Sequence, residues 1–282
     1  MGLNKILFIS AIGLLLAQLL LAGATAAGGS GSLNLIIRME QSSSPGLSQA
    51  DRENLEMNST INLLNEVDSR GLDATISVTG DIANELYPLY VTALGTGKNH
   101  ELIMSGMTSG EGAASFEDQD ARMRKSKRYV ENDYVCGGEQ VTVAGYLPQA
   151  GSFNESGYKI MDDLGLLYLV DDTGLPENQG KAAPYQMDSF AFYVVPVTAS
   201  SIRLVDSAAR DAGLNGTEWY DLLASSFDEA SGRGETVVAV FTNTVSGSGE
   251  FLDAYRKFIE YAAGKSATFM MTKELVEGAK GA

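Results

Sequence analysis

Short apolar runs alternate with amphipathic stretches from residue 33 almost to the end of the chain. Leu33-Asn34-Leu35-Ile36-Ile37 predicts a first strand, and Ala74-Thr75-Ile76-Ser77-Val78 a second, rich in β-branched residues. Between them, over 50–70, Met57, Ile61, Leu64 and Val67 recur at spacings of three and four. That spacing predicts a helix with one buried face, stopped by Gly71. Asp81 is placed to cap a helix carrying Leu86, Tyr90 and Leu94. A third strand is expected at Leu102-Ile103-Met104, a charged helix over 115–133 and a fourth strand over 141–146. A helix over 154–164 leads to a fifth strand, Leu166 to Val170. Phe190 to Val197 and Thr236 to Phe241 read as two more, with helices near 200–213, 217–229 and 249–263. Residues 267–271 can form a last strand before a short terminal helix.

Seven or eight strands separated by helices imply parallel pairing and βα units. A barrel and an open doubly wound sheet both satisfy that order. The chain has no G-x-G-x-x-G or P-loop pattern. Strand number and length therefore favour a (β/α) barrel.

Residues 1–26 read as a secretory signal. Lys5 precedes an apolar run from Ile6 to Leu21, and Ala24-Thr25-Ala26 forms a cleavage-type end. The run is shorter than the roughly 20 residues of a spanning helix, so the expectation is a cleaved signal with no membrane span left afterwards. Residues 27–32 then form a Gly/Ser spacer, 33–277 the barrel domain and 278–282 a tail. A secreted or cell-envelope location follows. Three N-x-S/T sequons, at Asn58, Asn154 and Asn215, fit an exported glycoprotein.

The net charge of −16 argues against nucleic acid as a partner and favours solubility. Cys136 is the one cysteine, so no internal disulfide can form and the fold relies on its core. The basic group Arg122, Arg124, Lys125, Lys127 and Arg128 reads as a solvated helix face. Glu111, Glu117, Asp118 and Asp120 lack EF-hand spacing and read as a solvated acidic stretch.

Two segments carry a resemblance. The first is Ala74-Thr75-Ile76-Ser77-Val78-Thr79-Gly80, followed by a helix and then Asn99-His100-Glu101-Leu102. The second runs from Tyr146-Leu147-Pro148-Gln149-Ala150-Gly151 to Met161-Asp162-Asp163-Leu164-Gly165-Leu166-Leu167-Tyr168. In order and spacing these resemble the polysaccharide deacetylase family, or NodB homology domain, across 33–277. The resemblance implies that family's distorted seven-stranded (β/α) barrel. It also implies a divalent metal held by an aspartate and two histidines.

This chain departs from that pattern at each chemical position. The family's aspartate pair corresponds to Ile37-Arg38-Met39-Glu40, where Glu40 alone keeps a carboxylate. The two metal histidines correspond to Ser105 and Ser109, whose hydroxyls are poor transition-metal ligands. The motif arginine corresponds to Leu147, and the late histidine falls near Phe241-Thr242-Asn243. His100, the one histidine, matches the family's G-H-E segment and reads as a hydrogen-bonded structural residue. No metal or other cofactor is expected. Asp171 and Asp172 end a predicted strand on the face where barrel sites lie. They are speculative carboxylates for catalysis, with a helix cap as the plainer role for the pair.

The expected function is that of an exported, non-catalytic deacetylase-like protein binding a glycan or serving the envelope. The alternatives are a hydrolase with a site rebuilt on Glu40 and Asp171 or Asp172, and an envelope structural subunit. Tyr87, Tyr146, Phe153, Tyr168 and Trp219 are the candidate sugar-stacking aromatics.

Overall fold

The structure is a computed structural model describing residues 30–42, 46–85, 100–107, 114–133, 135–136, 139–149, 154–178, 180–200 and 202–281. The signal segment 1–26 lies outside the described residues, as do Leu86, Tyr90 and Leu94.

β1 (Ser32–Met39) is the central strand. It pairs in parallel with β10 (Thr236–Thr242) on one side, and with β2 (Thr75–Val78) and β11 (Thr268–Met270) along its other contacts. β3 (Glu101–Met104), β6 (Gly145–Tyr146), β7 (Tyr168–Asp171), β9 (Tyr193–Pro196) and β8 (Tyr185–Gln186) continue the sheet outward in that order. β8 alone runs antiparallel in this sheet among the described residues. β4 (Val135–Cys136) and β5 (Glu139–Gln140) form a separate hairpin.

The sheet curls into a half-barrel. Its seam is laced by the chain after β9. There the Thr198 amide donates to the Val238 carbonyl at 3.1 Å, and the Val240 amide donates to the Leu204 carbonyl at 2.8 Å. The expected (β/α) barrel class is thus the observed one, with an irregular segment in place of a last continuous ladder.

Alternation along the strands sorts the side chains. Leu33, Leu35, Ile37, Ile76, Leu102 and Leu169 belong to one set and are fully buried or nearly so. The other set is unusually polar: Asn34 and Arg38, Thr75 and Ser77, Glu101 and Ser105, Tyr168 and Asp172. Its members reach across the barrel interior. Arg38 on β1 meets Asp172 beyond β7, although three strands lie between β1 and β7. Tyr168 on β7 reaches over β6 to Glu101 on β3. Gly145 permits this, because a Cβ there would fall 2.1 Å from the Tyr168 ring.

Part of that set, Asn34, Thr75, Glu101 and Tyr168, closes the barrel's N-terminal end. The Glu101 carboxylate accepts from the Tyr168 hydroxyl, from Thr75 Oγ1 at 3.1 Å and from the Lys273 amide at 3.0 Å. Thr272 donates to Thr75 and to Asn34, which docks α9 (Thr272–Lys280) beneath the strands. Because α9 runs to Lys280, the expected boundary at 277 falls inside a helix. Gly31, expected in the flexible spacer, is buried against Phe227 and accepts from the Thr268 amide at 2.9 Å.

The helices were legible in position more than in facing. α1 (Gln49–Asp68) buries Thr60, Leu63, Leu64 and Val67, while Met57 and Ile61 are half-buried. The face is rotated because α7 (Asn243–Ser246), a short helix without a sequence signal, packs there. Its Asn243 donates to Thr60 Oγ1 at 3.3 Å. α2 (Gly80–Glu85) begins before Asp81, and Thr79 Oγ1 accepts the Ile82 amide instead of an Asp81 cap. α3 (Phe116–Asp133) presents its basic residues mainly to solvent. α4 (Glu155–Asp163) is capped by Asn154, whose side chain accepts the Gly157 amide.

α5 (Asp206–Asp211), α6 (Gly216–Arg233) and α8 (Gly249–Gly264) cover the β10 side. Asn215 and Glu218 form a capping box on α6, and Gly234 ends it at a φ of 71°. Trp219, Phe227, Phe241, Tyr255 and Phe258 make the aromatic core between these helices and β10.

Tyr168→Phe would leave one Glu101 oxygen without its buried donor. The expected loss is about 1–3 kcal/mol in denaturant unfolding at pH 7. An unchanged midpoint would show that the contact contributes nothing to folding.

Candidate functional site

The C-terminal ends of the strands converge around one cation. Arg38, the penultimate residue of β1, is 1% exposed. Its Nη2 forms an ion pair with Asp172 and donates to the Pro148 carbonyl at 3.4 Å. Its Nε lies 3.6 Å from Glu40. Burial alone would pull the guanidinium's pKa down, but Asp172 and Glu40 outweigh it and raise it above the usual value. The cation is therefore permanent.

Each partner is placed by a strand end. Asp172 follows β7 and its side chain is 4% exposed. Glu40 follows β1 and is 28% exposed, making it the member of the cluster that faces solvent. Asn243 fixes the Glu40 backbone on both sides, accepting its amide at 3.0 Å and donating to its carbonyl at 3.2 Å. Burial pushes the Glu40 carboxyl up, Arg38 opposes this, and Asp172 adds to it.

Asp206 completes the ring of charge. It accepts from the Thr242 amide at 2.6 Å, from Thr242 Oγ1 at 2.9 Å and from the Ser207 amide at 2.7 Å. Burial nevertheless raises its carboxyl from 3.8 to about 6.

Of the residues singled out in the sequence, Glu40 and Asp172 meet here through Arg38. Ser105 is buried nearby, and its hydroxyl donates to the Leu147 carbonyl at 2.6 Å. It holds β3 to the turn after β6. Ser109 lies outside the described residues. Asp171 points elsewhere, accepting from the Thr173, Gly174 and Leu175 amides and from Asn178. It organises a turn rather than capping a helix of standard length.

His100 sits at the start of β3, at the opposite end of the barrel, with Nε2 2.8 Å from Asp68. Tyr146, Tyr168 and Trp219 are fully buried in the core and form no stacking platform, a correction to the sequence reading. Tyr87, Phe153 and Glu111 lie outside the described residues, and so does the Cys136 side chain. Glu117 and Asp118 are exposed on α3, and Asp120 pairs with Arg124. Among the described residues no three His, Cys, Asp or Glu side chains are grouped to hold a metal ion.

The residues present do not fit a divalent cation. Among the described residues, the buried Arg38 guanidinium already pairs with Asp172 and Glu40 and would repel a second positive charge in a region of low dielectric. Neither Arg38 nor Asp206 is a carboxylate or histidine in a motif position, so the sequence pattern gives neither a role at the site. An arginine within the apolar run 33–39 was the available signal, since a buried charge needs partners.

Comparison with solved structures gives close agreement in fold at low identity. A probable polysaccharide deacetylase from Pseudomonas aeruginosa PAO1 has a TM-score of 0.71 at 15% identity, over 89% of this chain and 91% of that one. PuuE allantoinase has a TM-score of 0.70 at 16% identity, over the same shares of the two chains. A CE4-family pseudoenzyme from Bacillus anthracis has a TM-score of 0.53 at 13% identity, over 88% of this chain and 66% of that one. No protein-family model matches the chain, and no curated protein does.

Arg38→Met would strand Asp172 as an uncompensated buried charge, with an expected cost of about 3–5 kcal/mol. Adding Asp172→Leu should recover most of that loss in the same urea titration. Additive losses in the double variant would sink the pairing.

The raised Asp206 carboxyl has a defined sign. The folded state binds that proton more tightly than the unfolded chain. Its contribution is complete below about pH 4 and is lost as pH rises through about 6, on the order of 3 kcal/mol in all. Unfolding free energy should therefore fall between pH 4 and 6.5, and Asp206→Asn should flatten that slope. An identical slope in the variant would assign the pH dependence to other groups.

At the level of fold, the likeness read from the sequence holds: this chain has the barrel of the polysaccharide deacetylases.

Proposed function

We propose that this chain is a non-catalytic, metal-independent protein on the polysaccharide deacetylase fold, exported to the envelope, where it binds a glycan instead of cleaving one. The observation that carries this reading is the buried Arg38–Asp172 ion pair with Glu40 beside it. In the deacetylase pattern that end of β1 supplies a general base and a metal ligand. Here it supplies a fixed cation, and among the described residues no group of His, Cys, Asp or Glu side chains is assembled to hold a Lewis acid with an activated water. The pseudoenzyme among the structural neighbours shows that the fold exists without activity in at least one other protein, and a mutant of that protein is described as having restored activity. Export rests on the signal-like segment 1–26, followed by the spacer over 27–32 and a domain over 33–277. Among the described residues no helix is long and apolar enough to cross a membrane.

A second reading has one observation in its favour. Glu40 and Asp172 converge at the barrel mouth, Glu40 partly open to solvent with its carboxyl shifted up. Two carboxylates at one mouth, one of them raised by burial, are groups of the kind used for acid–base hydrolysis of glycans.

One experiment separates the two. The purified mature chain is incubated with N-acetylated and O-acetylated oligosaccharides, with added zinc or with chelator, and acetate and reducing ends are measured. The expected outcome is no turnover in either condition, with retention on cell-wall polysaccharide in a pull-down. Chelator-sensitive acetate release would overturn the proposal. Chelator-insensitive cleavage abolished in Glu40→Gln would establish the second reading instead.

A further inference from the structure

Outside the barrel interior, a cavity of about 840 Å³ opens between the turn after β7, the segment after β9 and the start of β10. Pockets for small organic ligands span about 300–1,000 Å³. We propose that this cavity is a binding site for a small carboxylate-bearing ligand of sugar size, with Arg203 and Lys181 as its anion-recognising groups.

Charge is the first argument. The chain carries −16, yet the lining brings in Lys181, Arg203 and Arg233. Arg233 is paired with Glu235 at 2.7 Å. Lys181 and Arg203 form no ion pair among the described residues. Asp171 also lines the cavity, but its charge is spent on the turn, where it takes three amides and the Asn178 side chain.

Construction is the second argument. Arg203 Nε is buried and has no hydrogen-bond partner, which costs stability unless an acceptor arrives. Its guanidinium is seated against Gly174, at a φ of +79°. A Cβ there would lie 1.9 Å from Nη1, so glycine is required for that seat. Lys181 is anchored too. Its ammonium lies 3.3 Å from the centroid of the Tyr185 ring. The Tyr185 hydroxyl donates to Asn178 Oδ1 at 2.7 Å, and Asn178 in turn donates to Asp171. One carboxylate at the end of β7 thus organises the turn, the asparagine, the tyrosine and, through the ring, the lysine.

The chemistry selects the ligand. A guanidinium with free N–H groups favours planar carboxylate in bidentate geometry, and Lys181 adds a point charge. Leu175, Pro176, Pro196 and Val197 supply apolar surface for the body of the ligand. A uronic acid carries such a carboxylate on a ring whose C–H face can lie against that surface.

The test uses the purified mature chain and calorimetry at low salt, with glucuronate, a uronate oligosaccharide, glucose and inorganic phosphate as probes. Glucuronate should bind and glucose should not. Arg203→Gln and Lys181→Gln should each weaken glucuronate by about tenfold. The oligosaccharide binding more tightly than the monomer would mark a glycan as the source of the carboxylate, and equal affinity a free acid. Absence of glucuronate binding, binding unchanged in Arg203→Gln, or phosphate binding as tight as glucuronate would overturn the assignment. Arg38 does not line this cavity. Failure here therefore leaves the reading of the barrel mouth intact, and turnover at the barrel mouth would leave this site standing.

Discussion

An arginine buried near the end of the central strand constrains the whole mouth of this barrel. A guanidinium cannot shed its proton, so its charge must be matched where it lies. Asp172 is brought to it from beyond β7, Glu40 from the next turn of its own strand, and the Pro148 carbonyl from the loop after β6. Asn243 then holds the Glu40 backbone, and Thr242 holds Asp206 within electrostatic reach of the same cation. A metal ion would organise such a mouth by collecting carboxylates and imidazoles. Here a buried side chain does the collecting, and its positive charge does the organising that a metal ion would do.

The opposite end obeys the same rule with reversed sign. Glu101 is a buried carboxylate, and burial is the largest influence on it, raising its pKa. Three donors from three elements surround it, one of them the first turn of α9. Between the two polar ends, Ile36, Ile103 and Val170 fill the middle of the interior. The barrel is closed at each end by a buried charge held by partners from several elements, and is packed with hydrocarbon between. This suits a chain with one cysteine and no disulfide to restrict its unfolded state.

Much of the frame was legible in the sequence because parallel strands buried on both faces leave long apolar runs. β1, β10 and the amphipathic helices α6 and α8 fall where their patterns put them. The two-residue β8 and the four-residue α7 are too short to carry a period, so their neighbours fix them, and of the strand expected over 141–146 only Gly145–Tyr146 pairs in the sheet. Facing was the harder matter. A strand's alternation does not say which side is the barrel interior, and Tyr146 and Tyr168, candidates for sugar stacking, are buried; Trp219 is buried on the core face of α6. Arg38 was hidden for a related reason. Motif comparison registers a missing aspartate, whereas the energetic fact is a charge gained inside an apolar run.

The adjacent pair Asp171-Asp172 shows how a single strand end serves two sides. Successive residues of an extended chain face opposite ways, so neighbouring carboxylates cannot share one task there. Asp172 stands in register with Tyr168 and Val170 and enters the interior, where it meets Arg38. Asp171 turns outward and gathers the amides of 173–175 with Asn178, shaping the cavity wall that carries Lys181. A catalytic pair built from both residues would require them on one face. The alternation that makes the strand excludes that arrangement, so a second carboxylate beside Asp172 at the mouth comes from another element, as Glu40 does from the end of β1.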